Sequence, residues 1–180
     1  MSGLRRVCAV LVLPVLLAGC GGTGRDPAPT YSTAPRPVRA GETAVHTAPR
    51  ADGRITFTVI GLRTGITYVV GSHGDQKAQG RFVRVRLVAA NGYPNFHTLD
   101  LGRERLLTTD GKAYAISENA TRIKRQPDSL DIGAGDRVEF DLWFDIPAAA
   151  RVAALRLYGE PTDDLGVSLP VGPGVRVPLG

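Results

Sequence analysis

The sequence predicts an all-β domain, an antiparallel β-sandwich, preceded by a signal peptide and a disordered linker. Three observations predict it. Apolar and polar residues alternate with period two in several segments, turn-forming pairs recur at short intervals, and no stretch beyond the first 50 residues offers an amphipathic helix of three or more turns. The chain has 180 residues and divides into residues 1–19, 20–50 and 51–180, taken in that order below.

Residues 1–19 read as a signal peptide. Arg5 and Arg6 form a basic start, Val7 to Leu17 an apolar stretch, and Ala18-Gly19 the small residues before a cleavage point. As a helix, the apolar stretch reaches roughly 20 Å, short of the ~30 Å hydrocarbon core, and Pro14 interrupts it. The run Leu17-Ala18-Gly19-Cys20 resembles the lipobox of bacterial lipoproteins. That resemblance implies that Cys20 carries a thioether-linked diacylglycerol, becomes the new N-terminus and holds the protein on the extracytoplasmic face of the cell membrane. Two acyl chains anchor stably where one binds only marginally. Ordinary secretion with Cys20 as a free thiol is the competing outcome.

With Cys8 in the signal peptide and Cys20 lipidated, the rest of the chain holds no cysteine, so disulfides and thiolate metal sites are excluded. Stability then comes from core burial. Charge is modest: removing Arg5 and Arg6 from the 22 basic residues leaves 20 against 17 acidic ones, which is no nucleic-acid footprint. The basic residues are 19 Arg and 3 Lys in a chain rich in Ala, Gly and Pro, the usage of a GC-rich genome of the actinobacterial kind.

Residues 20–50 read as a tether. Pro27, Pro29, Pro35, Pro37 and Pro49 alternate with Thr23, Thr30, Ser32, Thr33, Thr43 and Thr47, and bulky aliphatics are scarce. Such a segment buries too little apolar surface to offset its ordering entropy. It would span ~30 Å as a coil and up to ~90 Å as polyproline. Its Thr/Pro mixture is also compatible with O-linked sugar.

Beyond Ala51 the strands follow. Ile55, Phe57 and Val59 alternate with Thr56 and Thr58; Val83, Val85 and Leu87 with Arg84 and Arg86; Val138, Phe140, Leu142 and Phe144 with Glu139, Asp141 and Asp145. Turn signals lie at Asn91-Gly92, Asp110-Gly111, Gly133-Ala134-Gly135 and Gly172-Pro173-Gly174. Asp110-Gly111 predicts a two-residue type I′ hairpin pairing Arg105–Thr109 with Lys112–Ser117. Pro147 to Leu157 reads as a turn followed by a strand, and Val175 and Val177 as an edge strand in a tail broken by prolines. A closed barrel is the alternative architecture.

Four segments carry a further resemblance: Gly80-Arg81-Phe82-Val83 leading into the strand that ends at Asn91, Asp110-Gly111-Lys112-Ala113-Tyr114, Leu130 through Gly135, and Phe144-Asp145-Ile146-Pro147. Together they resemble the immunoglobulin-like domain of unknown function common in lipoproteins of Gram-positive bacteria, a family related to a secreted mycobacterial immunogenic protein. Ala134 departs from the pattern, which has proline before the glycine. The resemblance implies an immunoglobulin-like sandwich outside the cytoplasm and brings no catalytic residue.

The residues themselves offer little chemistry. His46, His73 and His97 show no metal-pair spacing, so no metal or other cofactor is expected. Ser72-His73-Gly74-Asp75 sets nucleophile, base and acid types side by side, but triads converge in space and no Gly-x-Ser-x-Gly elbow is present. Asp163-Asp164 suits a solvated loop better than a calcium site, and Asn119-Ala120-Thr121 is a chance sequon.

Two groups form the candidate binding surface. Trp143 shares the face of Asp141 and Asp145; exposed, it would anchor a partner or sugar ring, whereas in a strand packed on both sides it is core. Arg84 with Arg86, and Arg122 with Lys124 and Arg125, would contact an anionic polymer or headgroup if they converge, as would Arg103 with Arg105; scattered, they are the wet face of a sandwich. The expectation is a non-enzymatic, lipid-anchored binding module meeting an envelope protein or an anionic cell-wall polymer, with no nucleic-acid partner. A carrier of a small apolar ligand between the sheets and an envelope hydrolase or its accessory subunit are the alternatives.

Overall fold

A computed structural model describes residues 37–72, 74–160, 167 and 169–180. In chain order its elements are β1 (Thr43–Ala44), β2 (Arg50–Asp52), β3 (Ile55–Val70), β4 (Asp75–Asn91), β5 (His97–Asp100), a 3-10 turn (Leu101–Arg103), β6 (Arg105–Thr108), β7 (Ala113–Ala115), α1 (Glu118–Ile123), β8 (Ser129–Ile132), β9 (Arg137–Ile146), β10 (Val152–Leu157) and β11 (Val175–Pro178). One sheet runs β1–β3–β4–β9 with β2 also paired to β3, a second runs β11–β10–β6–β7, and β5 with β8 forms a separate ladder. Every pairing is antiparallel. The fold is a β-sandwich.

Alternation explains the layers. The inner phase of the first sheet supplies Ile55, Phe57, Val83, Val85, Leu87, Phe140, Leu142 and Phe144; the second sheet supplies Leu106, Leu155, Leu157 and Val177; Leu99 and Ile132 of the small ladder join the same core. Each such burial contributes about 1.5–3 kcal/mol. β11 is the edge strand expected in the tail, with Val177 opposite Leu155 and fully buried. The turn before β10 is closed by Ala150 N–H donating to Pro147 O at 2.9 Å.

β3 and β4 are far longer than their alternating stretches, because irregularities shift their phase. The register skips a residue between Val59 and Gly61, so Val59 lies opposite Leu87 while Leu62, not Gly61, faces the core opposite Val85. Gly61 and Arg63 thereby turn outward, opposite Arg86 and Arg84. A bulge is where such a reversal is cheapest.

The hairpin between β6 and β7 pairs Arg105 with Ala115 and Leu107 with Ala113, as expected, but its turn differs. Only Gly111 adopts positive φ (83°), and Gly111 N–H donates to Thr108 O at 3.0 Å. The turn is the longer type I form with a left-handed glycine, in which Asp110 keeps ordinary φ and accepts from the Thr108 hydroxyl at 2.5 Å.

The tether boundary at residue 50 is corrected. Residues from Pro37 onward belong to the domain: β1 pairs with Gly61 and Leu62, β2 with Ile55 to Phe57, and Val45 and Thr47 donate to the carbonyls of Ile60 and Val59 at 3.3 Å. Composition averaged over thirty residues hid fourteen that fold, held by backbone bonds, by the ion pairs of Arg39 and Glu42, and by Val45 packed against the core.

Candidate functional site

The outer face of the first sheet is built from the phase opposite to the core: Phe82, Arg84 and Arg86 on β4, and Asp141, Trp143 and Asp145 on β9. Register sets Arg84 opposite Trp143 and Arg86 opposite Asp141. This face is covered, which corrects the expectation of a wet basic strand. Arg84 is 9% exposed, Arg86 3% and Trp143 5%.

Two covers account for it. The first is α1, whose Ser117 hydroxyl caps Ala120 N–H, and which ends where Arg125 takes a left-handed φ of 53°. Ala120 and Ile123 pack with Ile66, Val69, Ala78, Phe82 and Trp143 into a second apolar cluster. Trp143 is thus packed on both sides of its strand, the core outcome of the two weighed from sequence. Its indole Nε1 is buried without a hydrogen-bond partner.

The second cover is the segment from Pro37 to Ala44, which lays charge on charge. Glu42 Oε1 accepts from Arg84 Nη2 at 3.2 Å and from Arg86 Nε at 3.1 Å, while its Oε2 accepts from Arg86 Nη2 at 2.8 Å. Arg86 Nη1 also reaches Glu139 at 3.3 Å. Arg39 bridges Asp141 at 2.6 Å and Glu139 at 3.1 Å. Burial pushes the Glu42 carboxyl up, but the Arg39 backbone N–H and the guanidiniums of Arg86 and Arg84 outweigh it and hold the group below its ordinary value. Burial likewise acts downward on Arg86, and Glu42 and Glu139 reverse it.

Beside this network lies a cleft of about 350 Å³, walled by Arg39, Arg63, Arg84 and Lys124, with Asp141, Gln126 and Trp143 and the apolar side chains of Ile66, Tyr68 and Val70. Arg84 sits 5.9 Å from the centroid of the Trp143 ring. The structure therefore brings together four of the residues singled out from sequence: Arg84, Asp141, Trp143 and Lys124. Arg122 and Arg125 line a different cleft of about 340 Å³ with Ser72, whose hydroxyl accepts from Arg125 at 3.2 Å. Arg86 is locked in the buried network. Asp145 faces away from both clefts, its carboxylate accepting from Gln79 and Gly80 N–H at 2.7 and 3.2 Å. Cys20, His73, Asp163 and Asp164 lie outside the described residues.

Arg39, Glu42 and Arg63 were not singled out from sequence, whereas Glu139 was read as a carboxylate able to neutralise the strand arginines, and it pairs with Arg86. One signal pointed to Glu42: Gly61 inside a strand marks a close approach by another group, and here that group is the Glu42 carboxylate. Among the other motifs, His97 is a strand residue, 4% exposed, stacked on Tyr93 at 4.7 Å and bonded through Nε2 to Gly159 O at 2.7 Å, which fixes the tail. Arg103 and Arg105 do not converge on a cleft; Arg103 pairs with Glu160 at 2.7 Å and Arg105 bonds the carbonyls of Gly102 and Glu104. Thr121 of the sequon is buried in α1.

No family model matches the chain, and no curated protein matches it in sequence. Among solved structures it is similar to a conserved hypothetical protein from Bacillus anthracis, with a TM-score of 0.51 and 15% identity over 77% of this chain and 96% of that one. The yjhA protein from Bacillus subtilis follows at TM-score 0.48 and 15% identity, covering 65% and 83%. The secreted protein MPT63 from Mycobacterium tuberculosis aligns at TM-score 0.40 and 13% identity, covering 62% and 82%. The first of these likenesses supports the sandwich fold and nothing beyond it.

Proposed function

We propose that the protein is a lipid-anchored, extracytoplasmic binding module of the cell envelope, non-enzymatic, whose ligand face is the outer face of the first sheet. The observation that carries this reading is the cleft in which Arg39, Arg63, Arg84 and Lys124 surround Trp143. Small-molecule and group-recognition sites are concave, part apolar, and lined by a few fixed polar groups. The space between the sheets supports the outer face over an interior site, since Phe57, Leu87, Phe144 and Leu155 are fully buried there. Anchoring rests on Leu17-Ala18-Gly19-Cys20.

The test is in-cell crosslinking with a photoreactive residue in place of Tyr68, on the cleft rim and 53% exposed, compared with the same chain carrying Cys20→Ser. A discrete envelope adduct that disappears in the Cys20→Ser chain is expected. An adduct equally strong without the cysteine would overturn the anchored reading; the absence of any adduct, protein or glycan, would overturn the module.

A further inference from the structure

The charges of this cleft do not balance locally. Arg84 is committed to Glu42, and Arg39 to Asp141 and Glu139. Arg63 and Lys124 have no carboxylate partner among the described residues: Arg63 Nη1 donates to Ala40 O at 3.4 Å, and Lys124 Nζ to Val70 O at 2.7 Å. Two cations facing one concavity repel each other unless an anion lies between them, and charge-assisted bonds to such an anion are the strong ones. Trp143 Nε1 and Asp141 Oδ1, on the strand that walls the cleft, are buried without a hydrogen-bond partner. The side chains of Tyr68 and Val70, 53% and 60% exposed, add apolar surface of the kind against which a sugar ring packs.

We infer that the cleft takes a phosphate ester of a sugar or cyclic polyol, its phosphate between Arg63 and Lys124 and its ring against Tyr68, beside Trp143. The inference rests on the binding-module reading and names the ligand class of that same site. The cleft's volume of about 350 Å³ lies at the small end of ligand sites, enough for one phosphorylated ring. Such a group can be a soluble or polymer-borne sugar phosphate, or the headgroup of an inositol lipid; the recognition chemistry is the same.

Trp143 is the single tryptophan of the chain, so its emission reports on this cleft directly. The full-length protein in detergent is titrated with glucose 1-phosphate, with glucose, and with phosphatidylcholine vesicles containing or lacking phosphatidylinositol. A saturable change in Trp143 emission with glucose 1-phosphate or with the inositol-lipid vesicles is expected, with none for glucose or plain vesicles. Whichever of the two responds identifies the source of the ester. In Arg63→Gln/Lys124→Gln the affinity falls by tenfold or more, on the order of one lost charge-assisted contact, while the melting temperature stays near that of the parent. No response to either ester, an equal response to glucose, or an unaltered affinity in the double variant overturns the inference. A silent cleft in a chain that still crosslinks in cells through Cys20-dependent anchoring would remove the ligand class and leave the module; a responding cleft without any cellular adduct would do the reverse.

Discussion

Glu42 and Gly61 share one volume: a Cβ built on Gly61 would lie 2.1 Å from Glu42 Oε1. The glycine is the gap through which a carboxylate from the N-terminal segment lies flat on the sheet and meets Arg84 and Arg86. A buried pair gains little net stability over an apolar substitute, but stripping one partner leaves an uncompensated charge.

Gly61→Ala is therefore expected to destabilise the domain by about 3 kcal/mol, the cost of displacing the Glu42 carboxylate from its arginines. Glu42→Gln, which keeps the shape and removes the charge, falls in the same direction by a similar amount. Urea unfolding of the two variants checks this, and a Gly61→Ala midpoint equal to the parent's would show that the carboxylate is not held there.

Stability against pH follows from two carboxyls moved in opposite directions. Glu42 is held below its ordinary value of 4.5, so the stability it contributes is present above that pH and is lost as pH falls toward its folded value. Glu104, 1% exposed, is pushed well above 4.5, first by burial and then by Glu160 and Asp100, against the Tyr158 N–H and Arg103. The fold thus favours the protonated Glu104, and stability declines as pH rises from about 4.5 toward its folded value. Glu104→Gln removes that decline and raises stability at pH 7 relative to the parent, while Glu42→Gln flattens the acid limb. Thermal melts from pH 3 to 8 separate the two.

Truncation after Tyr158 removes β11 and with it Val177 and Leu179, which are 0% and 6% exposed. Lost burial of two such side chains amounts to about 3–6 kcal/mol. The shortened chain is expected to expose the outer edge of β10 and to aggregate on size-exclusion chromatography. A monomer with an unchanged melting temperature would remove the tail from the fold.

Asn91 ties three segments together. Its Nδ2 donates toward the carbonyls of Asn95, Ile132 and Gly133 at 2.8, 2.9 and 3.1 Å, and its Oδ1 accepts from Tyr93 N–H at 2.8 Å. Asn91→Asp is nearly isosteric, yet it points a carboxylate at three carbonyls. A loss of about 3 kcal/mol or more at pH 7 is expected, smaller at pH 4 where the new group can protonate. Denaturant midpoints for parent and variant at both values provide the check.

How much of this was legible depended on the range of the cause. Ile55–Val59, Val83–Leu87 and Val138–Phe144 announce their strands because one face is buried and the next residue is not, a local pattern. The Asp110-Gly111 hairpin and the edge strand at Val177 are local too. β3 beyond Val59 was not legible, because the skipped residue before Gly61 reverses the phase on which the reading depends. The cleft was legible only in part: Arg84, Asp141 and Trp143 share a sheet face, but Lys124 arrives from the end of α1 and Arg39 from a segment whose prolines and threonines announce a linker. Sequence spacing carries no trace of either approach.

The Glu42 clasp also decides where force enters. The part of the chain that belongs to the domain begins at Pro37 rather than after residue 50. A pull on the chain from its N-terminal side arrives at Arg39 and then Glu42 before it reaches β3 or β4. Arg39 walls the cleft and precedes the clasp, so a load on the chain ahead of Pro37 would disturb one wall of the cleft before it reached the sandwich behind it.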